Sequence, residues 1–218
     1  MFTYFTDRDG KFQLGTLAES GFDPLSRTCR FMLREEAHHM MVGTTGIDRV
    51  VRRTATLMRE HDTDDVKPHG GIPLDIIQRY LNFHYSVSLD LFGGERSTNV
   101  ANYFTAGLKG RWQEERRSDD HQLTALTATV DIVVDGRIDT VDIPALTALN
   151  QDLRAEYFID CNNGVRRWNR ILEEAGAGRT LSLPHPGFNR RVVADPGYRV
   201  PPGRPPPHAD ARARGGAG

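Results

Sequence analysis

Apolar residues recur at helical spacing along most of the chain and change period once. Asp23 followed by Pro24 reads as an N-cap and first helical residue, and it opens a helix expected to run to about Val42, where Gly43 and Gly46 loosen the pattern. A continuation from Asp48 to Glu60 sets Val50, Val51 and Leu57 among basic residues, with Ile47 just ahead of it. The run Pro68-His69-Gly70-Gly71 then predicts a loop over His61 to Pro73. A third helix is expected from about Leu74 to Phe92. Its apolar row Ile76, Tyr80, Phe83, Val87 continues at the same spacing into Asp90, which puts a carboxylate in a core position. Such a group is costly to bury unless it is paired or holds a metal.

Beyond Gly93-Gly94-Glu95 a fourth helical segment spans roughly Asn99 to Leu126, interrupted by Gly107 and Gly110, with its regular part ending near Ser118-Asp119-Asp120-His121. From Thr127 to Pro144 the period becomes two. Val130, Ile132 and Val134, then Asp135-Gly136, then Ile138, Val141 and Ile143 predict a β-hairpin closed by a two-residue turn. Ala145 to Ala175 returns to helical spacing, with Leu149, Leu153, Phe158, Trp168 and Ile171 placed for burial. After Pro196 the chain is rich in Pro, Gly, Ala and Arg, a composition that cannot bury enough surface to order itself. The expectation is therefore an all-α bundle with a small hairpin insertion over residues 1–193, followed by a disordered tail over 194–218.

The chemistry concentrates in Arg34-Glu35-Glu36-Ala37-His38-His39-Met40, two overlapping Glu-x-x-His registers inside a helix. Residues three apart share a helix face, so each register can aim a carboxylate and an imidazole at one point. Ferritin-like di-iron bundles use this pair twice, with a single carboxylate from each of two further helices. The row Cys29, Met32, Glu36, His39, Gly43 and the row Thr28, Phe31, Glu35, His38, Val42 are equally regular, and spacing leaves the register open. A solvated surface pair is the plain alternative. Further donors stand elsewhere: Asp90 on the third helix, with Glu95 as its rival; His121 after Asp119 and Asp120; and Asp7 and Asp9 near the start, which would otherwise be turn residues before Gly10.

A net charge of -1, with 38% hydrophobic and 26% charged residues, gives no single-sign field to attract nucleic acid or an anionic membrane. No apolar run is long enough to span a bilayer. The N-terminus has no signal-peptide pattern, and Cys29 and Cys161 form no CxxC, so a reducing, cytoplasmic setting is expected.

The strings Thr6-Asp7-Arg8-Asp9-Gly10-Lys11-Phe12-Gln13-Leu14, Cys29-Arg30-Phe31-Met32-Leu33-Arg34-Glu35-Glu36-Ala37-His38-His39-Met40, Gln78-Arg79-Tyr80-Leu81-Asn82-Phe83-His84-Tyr85-Ser86 and Gly107-Leu108-Lys109-Gly110-Arg111 resemble the oxygenase component of benzoyl-CoA 2,3-epoxidase over about residues 1–190. Proteins of that family are longer, so the chain reads as a C-terminal part. The resemblance implies a ferritin-like fold with two iron ions and O2 as co-substrate. Electrons would arrive from a separate flavin/iron-sulfur reductase that uses NADPH, and the ring of benzoyl-CoA would be epoxidised. It implies Glu36 and His39 as catalytic ligands, with Asp7, Asp90, Asp119 and His121 completing the metal set; Asp120, Glu114 and Glu115 are alternatives to Asp119. Most of the helix bearing Asp7 is expected to precede Met1. Lys109, Arg111 and Arg190 are candidate contacts for coenzyme A phosphates, or plain surface charges. A ferritin-like metal-binding or structural protein, or an inactive truncated epoxidase, are the competing readings.

Overall fold

The computed structural model describes residues 1–94, 97–118 and 122–188. Among these residues five α-helices, α1 (Phe2–Leu17), α2 (Asp23–His61), α3 (Leu74–Asp90), α4 (Thr98–Thr105) and α5 (Leu149–Glu174), are joined by short 3-10 turns and one antiparallel hairpin, β1 (Thr127–Val134) with β2 (Arg137–Pro144). The mostly helical expectation with a hairpin insertion holds. Glu95, Asp119, Asp120, His121, Arg190 and the 194–218 tail lie outside the described residues. No described helix is long and apolar enough to cross a membrane.

The hairpin forms as its alternation predicts, with Val130 opposite Val141 and Val134 opposite Arg137. Asp135 and Gly136 both take positive φ, 51° and 76°, as a tight two-residue turn requires.

Four expectations about the helices need correction. The chain carries sixteen helical residues around Asp7: residues 2–17 are helical despite their polar run, because Tyr4, Phe5 and Phe12 bury against α3 and α5. The second helix does not break at Gly43. A Cβ there would stand 2.6 Å from the Tyr4 backbone nitrogen, so this glycine lets α1 and α2 close on each other. The buried face of α3 is Leu74, Ile77, Leu81, Tyr85, Ser88 and Leu89, while Tyr80 and Phe83 are exposed. The fourth helix stops at Thr105, where Gly107 at φ 70° turns the chain out of it.

After that turn, residues 108–118 form a strap across α1. Trp112 fills the space left by Gly15, where a Cβ would lie 2.4 Å from the indole, and its ring centroid is 4.7 Å from that of Phe12. Arg111 is buried and ion-paired with Glu114. The core runs through Tyr4, Phe5, Phe12, Val51, Leu81, Tyr85, Leu89, Tyr157 and Trp168, the side on which α5 closes α1 to α3.

Candidate metal centre

The helix pair α1–α2 builds the site. Gly10 on α1 has no side chain, and a Cβ there would be 3.2 Å from Glu36 Oε1, so the α2 carboxylate rests directly against α1 backbone. Three residues along α2, one helical turn on, His39 turns its Nδ1 to 3.9 Å from Glu36 Oε2 and 3.7 Å from Asp7 Oδ2. Asp7, Glu36 and His39 each offer a ligand atom, all within 4.8 Å of one another; no other Asp, Glu, His or Cys joins them among the described residues.

Burial is graded across the group. The side chains of Asp7 and Glu36 are 13% and 18% exposed, and His39 is 48% exposed. The carboxylates face inward between the helices, while the imidazole opens outward. Burial raises the pKa of Asp7, partly countered by His39. Burial also raises Glu36, the charge of Asp7 adds to the rise, and His39 opposes it. Glu36 Oε2 is buried and has no hydrogen-bond partner. Two carboxylates held close, one with an orphaned oxygen, beside one imidazole make a hard-oxygen and nitrogen donor set suited to a first-row divalent metal. The residues therefore fit iron.

The geometry closes the Glu36–His39 register, whereas Glu35 and His38 point to solvent. Asp90 is not part of the group. It ends α3, half-buried, in the field of the buried Arg154 guanidinium, because the α3 face that packs inward differs from the row that contained it. Asp119, His121 and Glu95 are not among the described residues.

Sequence reasoning missed a neighbouring arrangement. Asp9 is buried, and burial pushes its carboxyl up to about 7, opposed by a hydrogen bond from Gln13 and the charge of Lys109, and reinforced by Glu36. Lys109 is tucked in from the strap and donates to Gln13 Oε1 at 3.2 Å, and burial lowers its pKa. Arg111 is thus buried and Lys109 half-buried, so neither is a plain surface charge. The available signal was the i, i+4 spacing of Asp9 and Gln13 on one helix.

A mainly helical protein whose helix pair brings two carboxylates and an imidazole to one point is, by its chemistry, a candidate metal protein. Over 195 residues the chain is 53% identical to benzoyl-CoA oxygenase component B of Aromatoleum evansii, covering 88% of this chain and 41% of that protein. The resemblance read from the motif strings is borne out. The chain spans about two fifths of the length of the relative it matches. No family model matches the sequence.

Proposed function

We propose that the chain is the iron-holding part of a benzoyl-CoA oxygenase component, with Asp7, Glu36 and His39 as the ligands it contributes to a di-iron centre in a ferritin-like bundle. The convergence of these three side chains within 4.8 Å carries the proposal. The 53% identity to an oxygenase component supports the substrate class.

The bound iron would supply O2 activation, one oxygen atom entering the aromatic ring of benzoyl-CoA and the other leaving as water. The two electrons that balance this come from NADPH through a separate flavin/iron-sulfur reductase. The residues of this chain have distinct tasks. Asp7 and Glu36 would supply anionic oxygens; burial holds both carboxyls above the usual carboxylate range, and a bound cation would favour their charged form. His39 would supply an imidazole nitrogen from the half-exposed, open side of the helix pair. Apolar Met32 and Val42 flank it on α2.

The test is anaerobic titration with ferrous ion, read by metal analysis after gel filtration, for the native chain and for Asp7→Asn and His39→Ala. Retention by the native chain and at least tenfold weaker retention by both variants is expected. Equal, weak binding by all three would remove the metal centre. Turnover of benzoyl-CoA with a reductase and NADPH tests the reaction separately, and iron binding without it would leave a metal-binding protein of another kind.

A further inference from the structure

We infer that the cleft between α5, β1 and the turn Pro186–Phe188 is a binding site for a small neutral carboxamide with an apolar body, separate from the metal centre.

The cleft has a volume of about 210 Å3, with Phe158, Ile159 and Pro186 on its apolar side and Gln151, Arg154 and Asp131 on its polar side. An apolar cavity of about 150 Å3 admits a benzene molecule, so this space suits one ring with a small substituent and is far larger than one water needs. Its position follows from the two faces of α5. Tyr157 and Cys161 face α1: the Tyr157 hydroxyl donates to the Phe5 carbonyl at 3.1 Å, and the Cys161 carbonyl accepts from Tyr4 at 3.3 Å. Ala155 and Ile159 stand on the opposite face and are exposed. The cleft therefore opens away from α1 and from the carboxylates of the metal centre.

Two polar atoms of the wall are buried without a hydrogen-bond partner among the described residues: Arg154 Nε, a donor, and Gln151 Oε1, an acceptor. Unmet buried polar atoms are costly, and here one of each sense belongs to the same cleft. Arg154 is 2% exposed. Its Nη1 donates to the carbonyls of Leu89 and Gly93 at 3.4 and 3.2 Å, and its Nη2 to that of Pro186 at 3.2 Å. Nε and Nη2 share one edge of the planar guanidinium, and Pro186 is part of the wall, so the unmet N–H faces the cleft. Gln151 stands three residues earlier on α5, where residues at that spacing share a face.

The ligand has to accept from Arg154 and donate to Gln151. A carboxylate accepts but cannot donate, and it would face both the Gln151 oxygen and Asp131; an ammonium donates but leaves Nε unmet. Arg154 and Asp131 also carry opposite charges in one wall, which favours a neutral ligand over either ion. A carboxamide supplies both groups from adjacent atoms. The acceptors that Arg154 already holds are amide carbonyls, and a fourth of the same kind completes its set. The apolar side, Phe158 and Ile159, takes the body of the ligand.

Benzamide is the probe, with benzoate and acetophenone as controls of the same shape; benzoate is an anion, and acetophenone keeps the carbonyl but has no N–H. Each is titrated into the 218-residue chain and followed by backbone amide chemical shifts. Benzamide should give saturable shifts confined to α5, β1 and residues 185–188, with a dissociation constant of about 1 mM for a ligand of this size. Both controls should bind about tenfold more weakly. Gln151→Met keeps the volume and removes the acceptor, so it should lower benzamide to the level of acetophenone while leaving acetophenone and ferrous ion retention unchanged. Arg154 also ties α3 to the turn, so its removal is not relied on. Ala155→Trp, on the exposed rim, should block all three ligands. No saturable shift with benzamide would mean that the cleft holds only water and would overturn the inference. Benzoate binding as tightly as benzamide would make this an anion site, and acetophenone binding as tightly would make it an apolar cavity; either result overturns the carboxamide. Benzamide affinity unchanged in Gln151→Met would place the binding elsewhere and overturn it as well.

Discussion

Gly10 and Glu36 touch: a methyl group on the glycine would stand 3.2 Å from Glu36 Oε1 and 3.3 Å from its carboxyl carbon. The contact is tight enough that Glu36 would have to shift by a few tenths of an ångström to admit it. Replacing a mid-helix glycine by alanine gains up to about 1 kcal/mol of helix stability. Gly10→Ala should therefore raise or preserve the melting temperature of the metal-free chain while weakening ferrous ion binding by roughly tenfold. Thermal denaturation and a metal titration on the same preparation separate the two effects. Unchanged affinity would mean that Glu36 does not depend on this close approach.

Asp9 links stability to pH. Its folded pKa is about 7 against an ordinary value of 3.8, so the folded state holds this proton more tightly than the unfolded chain does. Stability contributed by the protonated carboxyl is present below the unfolded value and is lost as pH rises from about 4 to about 7. Asp9→Asn keeps the shape and removes the titration. The free energy of the variant minus that of the native chain should grow more favourable across that interval, by a few kcal/mol at most. Urea denaturation at pH 5, 6 and 7.5 on metal-free protein measures it. A pH-independent difference would mean that Asp9 is already ionised in the folded state.

What the sequence conveyed about the fold depended on how local each signal was. The hairpin was legible because alternation and Asp135-Gly136 act within a few residues. Gly43 reads in the sequence as loosening the helix, since a glycine that does so and one that admits a neighbouring helix look alike until α1 is in place. Helix α1 was hidden by its polar run Thr6-Asp7-Arg8-Asp9-Gly10-Lys11, and only packing of Tyr4, Phe5 and Phe12 against distant elements explains it. On α3 two apolar rows compete, and the row ending in Asp90 is the exposed one, so periodicity alone assigned that carboxylate to the wrong face. The pair Glu36 and His39 was readable from its spacing, but its convergence with Asp7 depends on a tertiary contact that spacing cannot report.

Trp112 anchors the strap to α1 over Gly15 and Phe12. Trp112→Ala removes this anchor and leaves a cavity over Phe12, at a cost of about 3 kcal/mol. The strap also carries Lys109 to Asp9 and Gln13, so detaching it should expose Asp9 and lower its pKa toward ordinary carboxylate values. Gly15→Ala, whose Cβ would stand 2.4 Å from the indole, should mimic both effects more weakly. Chemical denaturation gives the first quantity, and carboxyl chemical shifts followed through a pH titration give the second. A destabilised protein with the Asp9 titration unchanged would mean that Lys109 is held independently of Trp112.

Tyr4 joins α1 to α5 by passing over Gly164, where a Cβ would lie 1.9 Å from the phenol oxygen and 2.7 Å from Cζ, while the hydroxyl donates to the Cys161 carbonyl at 3.3 Å. Gly164→Ala overpacks a site with nowhere to relax, because Tyr4 also lies against Trp168, with ring centroids 5.0 Å apart, and against Gly43. The expected loss is about 2–4 kcal/mol. Tyr4→Phe alone forfeits one buried hydrogen bond, about 1 kcal/mol, and leaves the Cys161 carbonyl without that donor. Combined, the two changes should cost less than their sum, since removing the hydroxyl relieves the 1.9 Å contact, though the 2.7 Å contact with Cζ prevents full rescue. A double-mutant cycle by urea denaturation measures the coupling. Strict additivity would show that the ring does not sit over Gly164, and with it that α1 is not pinned to α5 at the level that sets Asp7 opposite His39.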